Sequence, residues 1–296
     1  MNRTRTLSRR SLLRHAAGSG AALAAGGSLA GSSAAADKRA APRLKGRINH
    51  SVCLWSSRMP LEELCKAAKA IGIRSIDLLG PKDWPTLKKY GLTCAMANGA
   101  GMGIDRGFNR VEYHDKLVEG FEALIPKAAA AGLENVICMS GNRGGISDEE
   151  GLENCVKGLK RPAPIAEKHK ITVCLELLNS KRNHKDYMAD HTAWGVEVCK
   201  RVGSERLKLL YDIYHMQIME GDIIDTIREN HPYIGHYHTG GVPGRHEIDD
   251  TQEINYPAVM KAIVATGYKG FVAQEFIPRG PDPLASLRKA IQICDV

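Results

Sequence analysis

The amino-acid sequence predicts an α/β fold: a single (β/α)8 TIM barrel preceded by a disordered signal peptide. From residue 48 onward, short β-branched or apolar runs alternate with longer amphipathic runs, which is typical of parallel strands joined by helices. Eight such strand–helix units occupy about 250 residues, the size of a closed barrel. An open doubly wound sheet is disfavoured, because Ser56-Ser57-Arg58 follows the first strand in place of a glycine-rich phosphate turn.

The predicted elements follow one another along the chain. Apolar and β-branched runs predict strands at 48–55, 75–79, 93–98, 135–140, 172–178, 207–213, 234–239 and 271–276. Apolar residues at helical spacing predict helices at 60–71, 81–90, 111–131, 148–169, 191–202, 223–230, 256–266 and 283–293. Gly72 and Gly132 directly follow two of these helices, where a left-handed glycine commonly ends a helix. These glycines support the boundaries of the helices that precede them.

The first 36 residues have the order of features found in a twin-arginine (Tat) signal peptide. Arg9 and Arg10 form the arginine pair, an apolar Ala/Gly-rich run covers 16–30, and Ala34-Ala35-Ala36 is a small-residue cleavage site. Residues 37–47 are polar and basic and are predicted to be a linker to the barrel at 48–296. The sequence therefore predicts a protein exported by the Tat machinery to a periplasmic or other extracytoplasmic location.

The charge balance is mild outside the leader. The chain has 41 Lys and Arg against 33 Asp and Glu, a formal net charge of +8. Five of these positive charges and no acid lie in residues 1–36, which leaves +3 for the remainder. Such a charge does not indicate a nucleic-acid partner, and no apolar run of about 18 residues predicts a stable membrane anchor. We expect a small-molecule partner, and homo-oligomerisation remains open.

The eight cysteines are scattered along the chain. Four lie in predicted strands and four in predicted helices or, for Cys294, directly after one, and no C-x-x-C pair occurs. This distribution indicates buried small apolar residues rather than a set of disulfides.

Four consecutive predicted strands carry a chemically related side chain near their carboxyl ends. These residues are Glu176, Asp212, His238 and Glu275. An unpaired buried carboxylate is costly, and the runs 172–178, 209–213 and 271–276 around the three acids hold no Lys or Arg to pair with them. Because barrel active sites form at this end of the strands, we expect the four side chains to converge. Carboxylates and one imidazole make a hard site that suits Mg²⁺ or Mn²⁺.

Other polar residues are weaker candidates. We expect only one of His236 and His238 to face the barrel centre, and we choose His238 because it lies nearer the carboxyl end of its strand. Candidates to line the pocket are His50, Trp55 and Asn98. His114 is expected on a helix surface, whereas Arg143 lies in a loop where it would meet an anionic substrate.

Two motifs resemble a known family. Residues 234–247 (IGHYHTGGVPGRHE) with 252–256 (QEINY), and residues 212–217 (DIYHMQ), resemble the hydroxypyruvate isomerase family of xylose-isomerase-like barrels. This resemblance implies Glu176, Asp212, His238 and Glu275 as ligands of a divalent metal. It also implies Glu176 and Glu275 as the catalytic acid/base pair, with His215 and Arg245 as substrate contacts. One departure is His238, where hydroxypyruvate isomerases usually carry Gln and the related ketose 3-epimerases carry His.

The function indicated is a metal-dependent isomerase that moves a proton on a small hydroxy-carbonyl compound through an enediolate. Hydroxypyruvate and tartronate semialdehyde are the first substrate pair that the resemblance implies. Export favours an alternative, a ketose 3-epimerase or lyase that acts on free or oxidised sugars in the cell envelope. A second alternative is a non-catalytic sugar-binding barrel, which has no need of the two glutamates.

Overall fold

The computed structural model describes residues 43–296. The predicted signal peptide and most of the predicted linker lie outside these residues. Seven parallel strands form one sheet in the order β2-β1-β7-β6-β5-β4-β3. Their bounds are β1 (Asn49–Cys53), β2 (Ser75–Asp77), β3 (Asn135–Cys138), β4 (Thr172–Glu176), β5 (Leu207–Asp212), β6 (Ile234–Thr239) and β7 (Phe271–Gln274).

The predicted strand at 93–98 is irregular, but it closes the barrel between β2 and β3. On one side, the Leu78 amide donates to the Met96 carbonyl oxygen at 2.7 Å. On the other side, the Ile137 amide donates to the Ala97 carbonyl oxygen at 3.1 Å, and Ala97 also bridges to Val136. The segment therefore completes a ring of eight backbone segments, and the predicted TIM barrel is confirmed.

Eleven α-helices cover the barrel within the described residues. They are α1 (Leu54–Ser57), α2 (Leu61–Ile71), α3 (Trp84–Lys89), α4 (His114–Ala130), α5 (Asp148–Leu159), α6 (Ala163–His169), α7 (Thr192–Val202), α8 (Ile213–Met219), α9 (Ile223–Asn230), α10 (Tyr256–Ala265) and α11 (Pro283–Cys294). Short 3₁₀ helices cover Val111–Tyr113 and His231–Tyr233. In this part of the chain, none of the helices is both long and apolar enough to span a bilayer.

Three helix predictions need correction, and the first concerns α1, which was not expected and takes up the end of the strand predicted at 48–55. The single helix expected at 148–169 is divided into α5 and α6, because Pro162 has no amide hydrogen and disfavours helical geometry in the residue before it. Helix α8 was not expected and follows β5 directly. It begins where the Asp212 carboxylate accepts hydrogen bonds from the amides of Tyr214 and His215, at 2.9 and 3.2 Å.

The barrel interior and the space beneath the helices form separate apolar clusters. A small interior cluster contains Met96, Ile137, Cys174 and Leu210, while the larger cluster joins the outer faces of the strands to the helices. All eight cysteines are buried and free, as the sequence predicts. The carboxyl ends of the strands are left for polar side chains, which form the site.

Candidate active site

Four side chains form what we call the acid cluster: Glu176, Asp212, His238 and Glu275. Glu176 and Asp212 are the last residues of β4 and β5, His238 lies near the end of β6, and Glu275 directly follows β7. One ligand atom of each residue lies within 4.8 Å of the others, and all four residues are buried. The structure therefore brings together the four residues that the strand ends single out.

Arg245 lies against this cluster from the loop after β6. Its Nη2 is 2.6 Å from Asp212 Oδ2, and it also contacts the Glu275 carboxylate. Its Nη1 contacts His215 Nε2, and its Nε donates to the Glu275 backbone oxygen at 3.1 Å. Arg245 adopts a left-handed backbone conformation with φ of 60°, which is uncommon outside glycine and asparagine. The loop thereby turns the guanidinium back onto the cluster.

Burial and neighbouring charges shift the pKa values of the two glutamates, Glu176 and Glu275, in opposite directions. Burial raises the pKa of Glu176 above its ordinary value. Burial acts in the same direction on Glu275, but Arg245 and His238 outweigh it and hold the pKa of Glu275 well below its usual range. Burial alone would lower the pKa of His238, yet the Glu275 carboxylate raises that pKa well above normal. Two carboxyls with opposite shifts are suited to giving and taking a proton.

The acid cluster fits a divalent cation. His238 Nδ1 lies 2.6 Å from Glu275 Oε2 and 3.7 Å from Glu176 Oε1. This buried nitrogen has no partner with hydrogen-bond geometry, although its neighbours are so close. The four side chains surround one point and make no hydrogen bond to each other. Ligands of a metal ion have this arrangement. Three carboxylates and one imidazole make a hard donor set suited to Mg²⁺ or Mn²⁺.

A cavity of about 620 Å³ opens above Glu176 and Glu275. Trp55 lines it and donates from Nε1 to Glu275 Oε1 at 2.6 Å, and Asn98 lines it as well. His215 and Arg245 complete the polar floor. The remaining wall is largely apolar and includes Leu78, Ile104, Ile137, Met139, Leu178 and Ile277. A ligand would thus meet polar groups at the base and apolar groups above them.

Four expectations about single residues need correction. His236 faces the interior like His238, because side chains two residues apart share one face of a strand, and its Nε2 lies 2.6 Å from Asp77 Oδ2. His50 does not line the cavity. It lies near the amino end of β1, 3.9 Å from Asp295, where burial lowers its pKa to about 4.

The other two residues are held by protein contacts. His114 is buried, and its Nε2 is 2.9 Å from the Phe108 carbonyl oxygen, so it is not a surface residue. Arg143 does not line the cavity, because Asp148 and Asp190 engage its guanidinium at 2.6 and 3.2 Å.

Two polar lining residues were not expected from the sequence. Asn183 and His184 lie in the loop after β4 and reach the cavity wall. The Asn183 side-chain oxygen accepts a hydrogen bond from the Tyr214 hydroxyl at 2.7 Å. Their position after a strand that carries Glu176 is a signal that could have identified them, because such loops build barrel active sites.

The barrel and the acidic residues at the carboxyl ends of its strands define a TIM-barrel enzyme. The chain belongs to the xylose isomerase-like TIM barrel family, whose sequence pattern matches residues 65–294. It is 30% identical to the 2-oxo-tetronate isomerase of Cupriavidus necator over 72% of this chain and 85% of that protein. It is 33% identical to the hydroxypyruvate isomerase of Escherichia coli over 54% and 62% of the two chains. These relatives support an isomerase.

Solved structures agree on the fold. A protein from Brucella melitensis described as an AP endonuclease of family 2 superimposes with a TM-score of 0.73 and 26% identity, over 81% of this chain and 97% of that one. The 3-keto-D-glucoside 4-epimerase of Escherichia coli gives a TM-score of 0.69 at 18% identity, over 83% and 98% of the two chains. The latter likeness concerns the fold alone.

Proposed function

We propose that this chain is a metal-dependent isomerase that moves a proton between adjacent carbons of a small hydroxy-carbonyl compound. Hydroxypyruvate, converted to tartronate semialdehyde, is the first substrate to test, because relatives at 30–33% identity carry the names hydroxypyruvate isomerase and 2-oxo-tetronate isomerase. The observation that carries the proposal is the buried acid cluster at the base of the cavity.

We assign the general base to Glu275, because Arg245 and His238 keep its carboxylate ionised and free to accept a proton. It removes a proton from the hydroxymethyl carbon of hydroxypyruvate, and the electron pair moves to form an enediolate. Glu176, whose burial favours the protonated form, delivers a proton to the former carbonyl carbon, while the proton of the hydroxymethyl hydroxyl passes to the former carbonyl oxygen, so that the aldehyde and the new hydroxyl form together. One proton leaves carbon and one returns to carbon, and one proton moves from oxygen to oxygen, so the reaction is redox-neutral; exchange with water then restores Glu275 and Glu176 to their starting forms.

The enediolate carries negative charge on oxygen and needs positive charge close by. Arg245 and His215 supply donors at the cavity floor, where their burial strengthens their interaction with an oxyanion. A divalent cation held by Glu176, Asp212, His238 and Glu275 would add Lewis-acid stabilisation of the same oxygens. Trp55 holds one oxygen of the Glu275 carboxylate in place through its hydrogen bond.

Proton exchange in D₂O tests the proposal. The Mn²⁺-loaded protein is incubated with a panel of hydroxy-carbonyl compounds, and deuterium at the carbon next to the carbonyl is measured. We expect exchange on at least one compound, its loss in Glu275→Gln, and no change in Glu205→Gln, an exposed residue that precedes β5 at the opposite end of the barrel. Absence of exchange on every compound would favour a non-catalytic sugar-binding barrel.

A second candidate is a ketose 3-epimerase or lyase that acts on free or oxidised sugars. The size of the cavity favours it, because 620 Å³ with an apolar upper wall far exceeds what a three-carbon acid occupies. His238 also agrees with the 3-epimerase pattern rather than the hydroxypyruvate isomerase pattern. The D₂O panel separates the two candidates when it includes ketohexoses and oxidised sugars beside hydroxypyruvate.

We also propose that the protein is exported through the Tat pathway. Arg9 and Arg10, the apolar run and the small-residue site support this route. Folding before export would let the metal be bound in the cytoplasm. Self-association into a homo-oligomer is compatible with this route and is tested by light scattering of the purified protein.

A further inference from the structure

Asp77 is a buried carboxylate that the proposed mechanism does not use. It ends β2 and is fully buried, and it does not line the large cavity. The hydroxyls of Ser51 and Ser75 donate to its Oδ1 at 2.6 and 3.0 Å, and His236 Nε2 lies 2.6 Å from its Oδ2. Within residues 43–296, its ion-pair partners are His236 and His238 of β6, across the barrel from β2.

His238 lies between Asp77 and the acid cluster. Its Nδ1 faces Glu176 and Glu275, at 3.7 and 2.6 Å. Its Nε2 faces the other way, 3.7 Å from Asp77 Oδ2 and 3.9 Å from Cys53 Sγ. The two ring nitrogens therefore meet two different environments.

A metal-bound imidazole is neutral, with one N–H and one lone pair, and its surroundings decide which nitrogen carries the proton. Here the two sides of the ring compete: Glu275, 2.6 Å from Nδ1, favours a proton on Nδ1, and Asp77, 3.7 Å from Nε2, favours a proton on Nε2. The tautomer that Asp77 favours leaves the Nδ1 lone pair facing the acid cluster, where a metal would bind. Burial of Asp77 and His238 strengthens this effect, because bulk water does not screen the Asp77 charge.

We propose that Asp77 is a positioning residue that fixes the His238 tautomer, so that Nδ1 is available to the metal. This inference rests on the proposed metal-dependent function. Ser51, Ser75 and His236 hold the Asp77 carboxylate in place. Asp77 acts on the acid cluster through the His238 ring, which lies between them. A purely structural role for Asp77, as the ion-pair partner of His236, accounts less well for its burial. A buried ion pair often adds little to stability, and this one leaves His236 Nδ1 without a hydrogen-bond partner.

Direct metal binding to Asp77→Asn tests the inference. Binding of Mn²⁺ to the metal-free full-length protein is followed by electron paramagnetic resonance, and circular dichroism checks the fold. We expect Asp77→Asn to lower Mn²⁺ affinity by roughly 10–100-fold, the usual cost of losing an outer partner of a metal-bound histidine. His236→Gln is the matched control, because it removes the imidazole 2.6 Å from Asp77 Oδ2 but leaves the Asp77–His238 contact, and a smaller loss is expected.

A double-mutant cycle separates positioning from a structural role. In a His238→Gln background there is no imidazole tautomer to fix, so adding Asp77→Asn should cost little further Mn²⁺ affinity. The same loss in both backgrounds, or an Asp77→Asn protein that binds Mn²⁺ like the native chain, overturns the positioning role alone. If the native chain binds no Mn²⁺, the proposed function fails and this inference fails with it.

Should Asp77→Asn not fold, Ser75→Ala gives a milder version of the test. It removes one hydrogen bond to Asp77 Oδ1 and leaves both charges in place. A few-fold loss of Mn²⁺ affinity, absent in the His238→Gln background, supports positioning. An equal loss in both backgrounds overturns it.

Discussion

Asp212 has two separate roles in the structure, one for each carboxylate oxygen. Its Oδ1 accepts the amide hydrogen bonds that begin α8, and its Oδ2 pairs with Arg245 inside the acid cluster. His215 is only three residues away, but its Nδ1 already accepts a hydrogen bond from the Asn179 amide at 2.9 Å. Burial and Arg245 also hold the pKa of His215 well below its ordinary value. The two residues should therefore respond differently to substitution.

We predict that Asp212→Ala lowers metal affinity more than His215→Ala does. Loss of a ligand should exceed the roughly 10–100-fold cost of losing an outer partner, whereas His215→Ala should mainly raise the substrate KM. Isothermal titration with Mn²⁺ measures both affinities. Asp212→Asn is the control, because Asn still caps a helix but carries no charge. Equal losses for the Ala variants would make His215 a ligand.

His50 predicts a pH dependence of stability. Its pKa is about 4 in the folded protein because of burial, against about 6.5 in an unfolded chain. The unfolded state therefore binds more protons between these values, so the stabilising contribution is complete above pH 6.5 and is lost as the pH falls toward 4. At about 1.4 kcal/mol per pKa unit, the loss approaches about 3 kcal/mol.

Urea unfolding between pH 4 and 7 measures this effect. We expect the free energy of unfolding to fall less steeply toward low pH in His50→Gln than in the native chain, because Gln cannot be protonated. Parallel pH profiles for the two proteins would show that His50 does not contribute.

At the scale of elements, the ends of the helices differ in how they are held. Helix α5 begins at a Ser147 cap, whose hydroxyl accepts a hydrogen bond from the Glu150 amide at 3.1 Å. Its first turn also carries Asp148, Glu149 and Glu150, which favour the positive end of the helix dipole. By contrast, α2 has no side-chain cap and begins after Pro60. The start of α5 is therefore the more sensitive to a single substitution.

We predict that Ser147→Ala lowers the free energy of unfolding by about 1 kcal/mol, through loss of the cap. Ser147→Asp should retain most of the stability, because an Asp oxygen accepts the same hydrogen bond. Denaturant unfolding of the three proteins gives the comparison. A Ser147→Asp protein as destabilised as Ser147→Ala would assign the effect to something other than the cap.

The pattern along the chain predicted most of these elements but not their interruptions. The division of α5 from α6 at Pro162 follows from a residue visible in the sequence, yet the surrounding periodicity suggested continuity. Helix α8 was not expected, because residues 213–219 contain few of the spaced polar residues that mark an amphipathic helix. It forms because Asp212 caps it and because its first residues are buried against the barrel.

At the scale of the whole molecule, burial predicts that the cysteines are inert. All eight are buried and free, and burial raises their thiol pKa, to about 12 for Cys199 and Cys294. Thiolate is the reactive form, so both access and ionisation are suppressed. We predict no rapid reaction of the native protein with an aromatic disulfide reagent and eight reactive thiols in denaturant. Rapid reaction of native protein would show that the barrel opens readily.

Export is a property of the full chain. We predict that replacing Arg9 and Arg10 together by Lys leaves a folded, uncleaved protein in the cytoplasm, because Lys keeps the charge but lacks the planar guanidinium. The native chain should be recovered outside the inner membrane, beginning near Asp37. Cell fractionation with N-terminal sequencing measures this, and Arg3→Lys with Arg5→Lys is the matched control. Full-length native protein in the cytosol would refute the signal peptide.

The sequence alone determined the barrel and predicted the four residues of the acid cluster. Hydrophobic periodicity is local, so it can be read from neighbouring residues, and parallel strands in a barrel place their carboxyl ends at one rim. Knowing that Glu176, Asp212 and Glu275 end their strands was therefore enough to expect them near one another. The closure of the ring by an irregular segment at 93–98 did not change that result.

Only the tertiary structure decided which charged side chains of the site contact one another. Asp77 and His236 are 159 positions apart in the chain, and nothing local in either strand indicates their contact. Arg245 pairs with Asp212 and Glu275 because a left-handed residue turns its loop inward, and His50 points away from the cavity because it lies near the amino end of its strand. Electrostatic pairing depends on distances of a few ångströms across the barrel, and those distances are set by the packing of the whole chain.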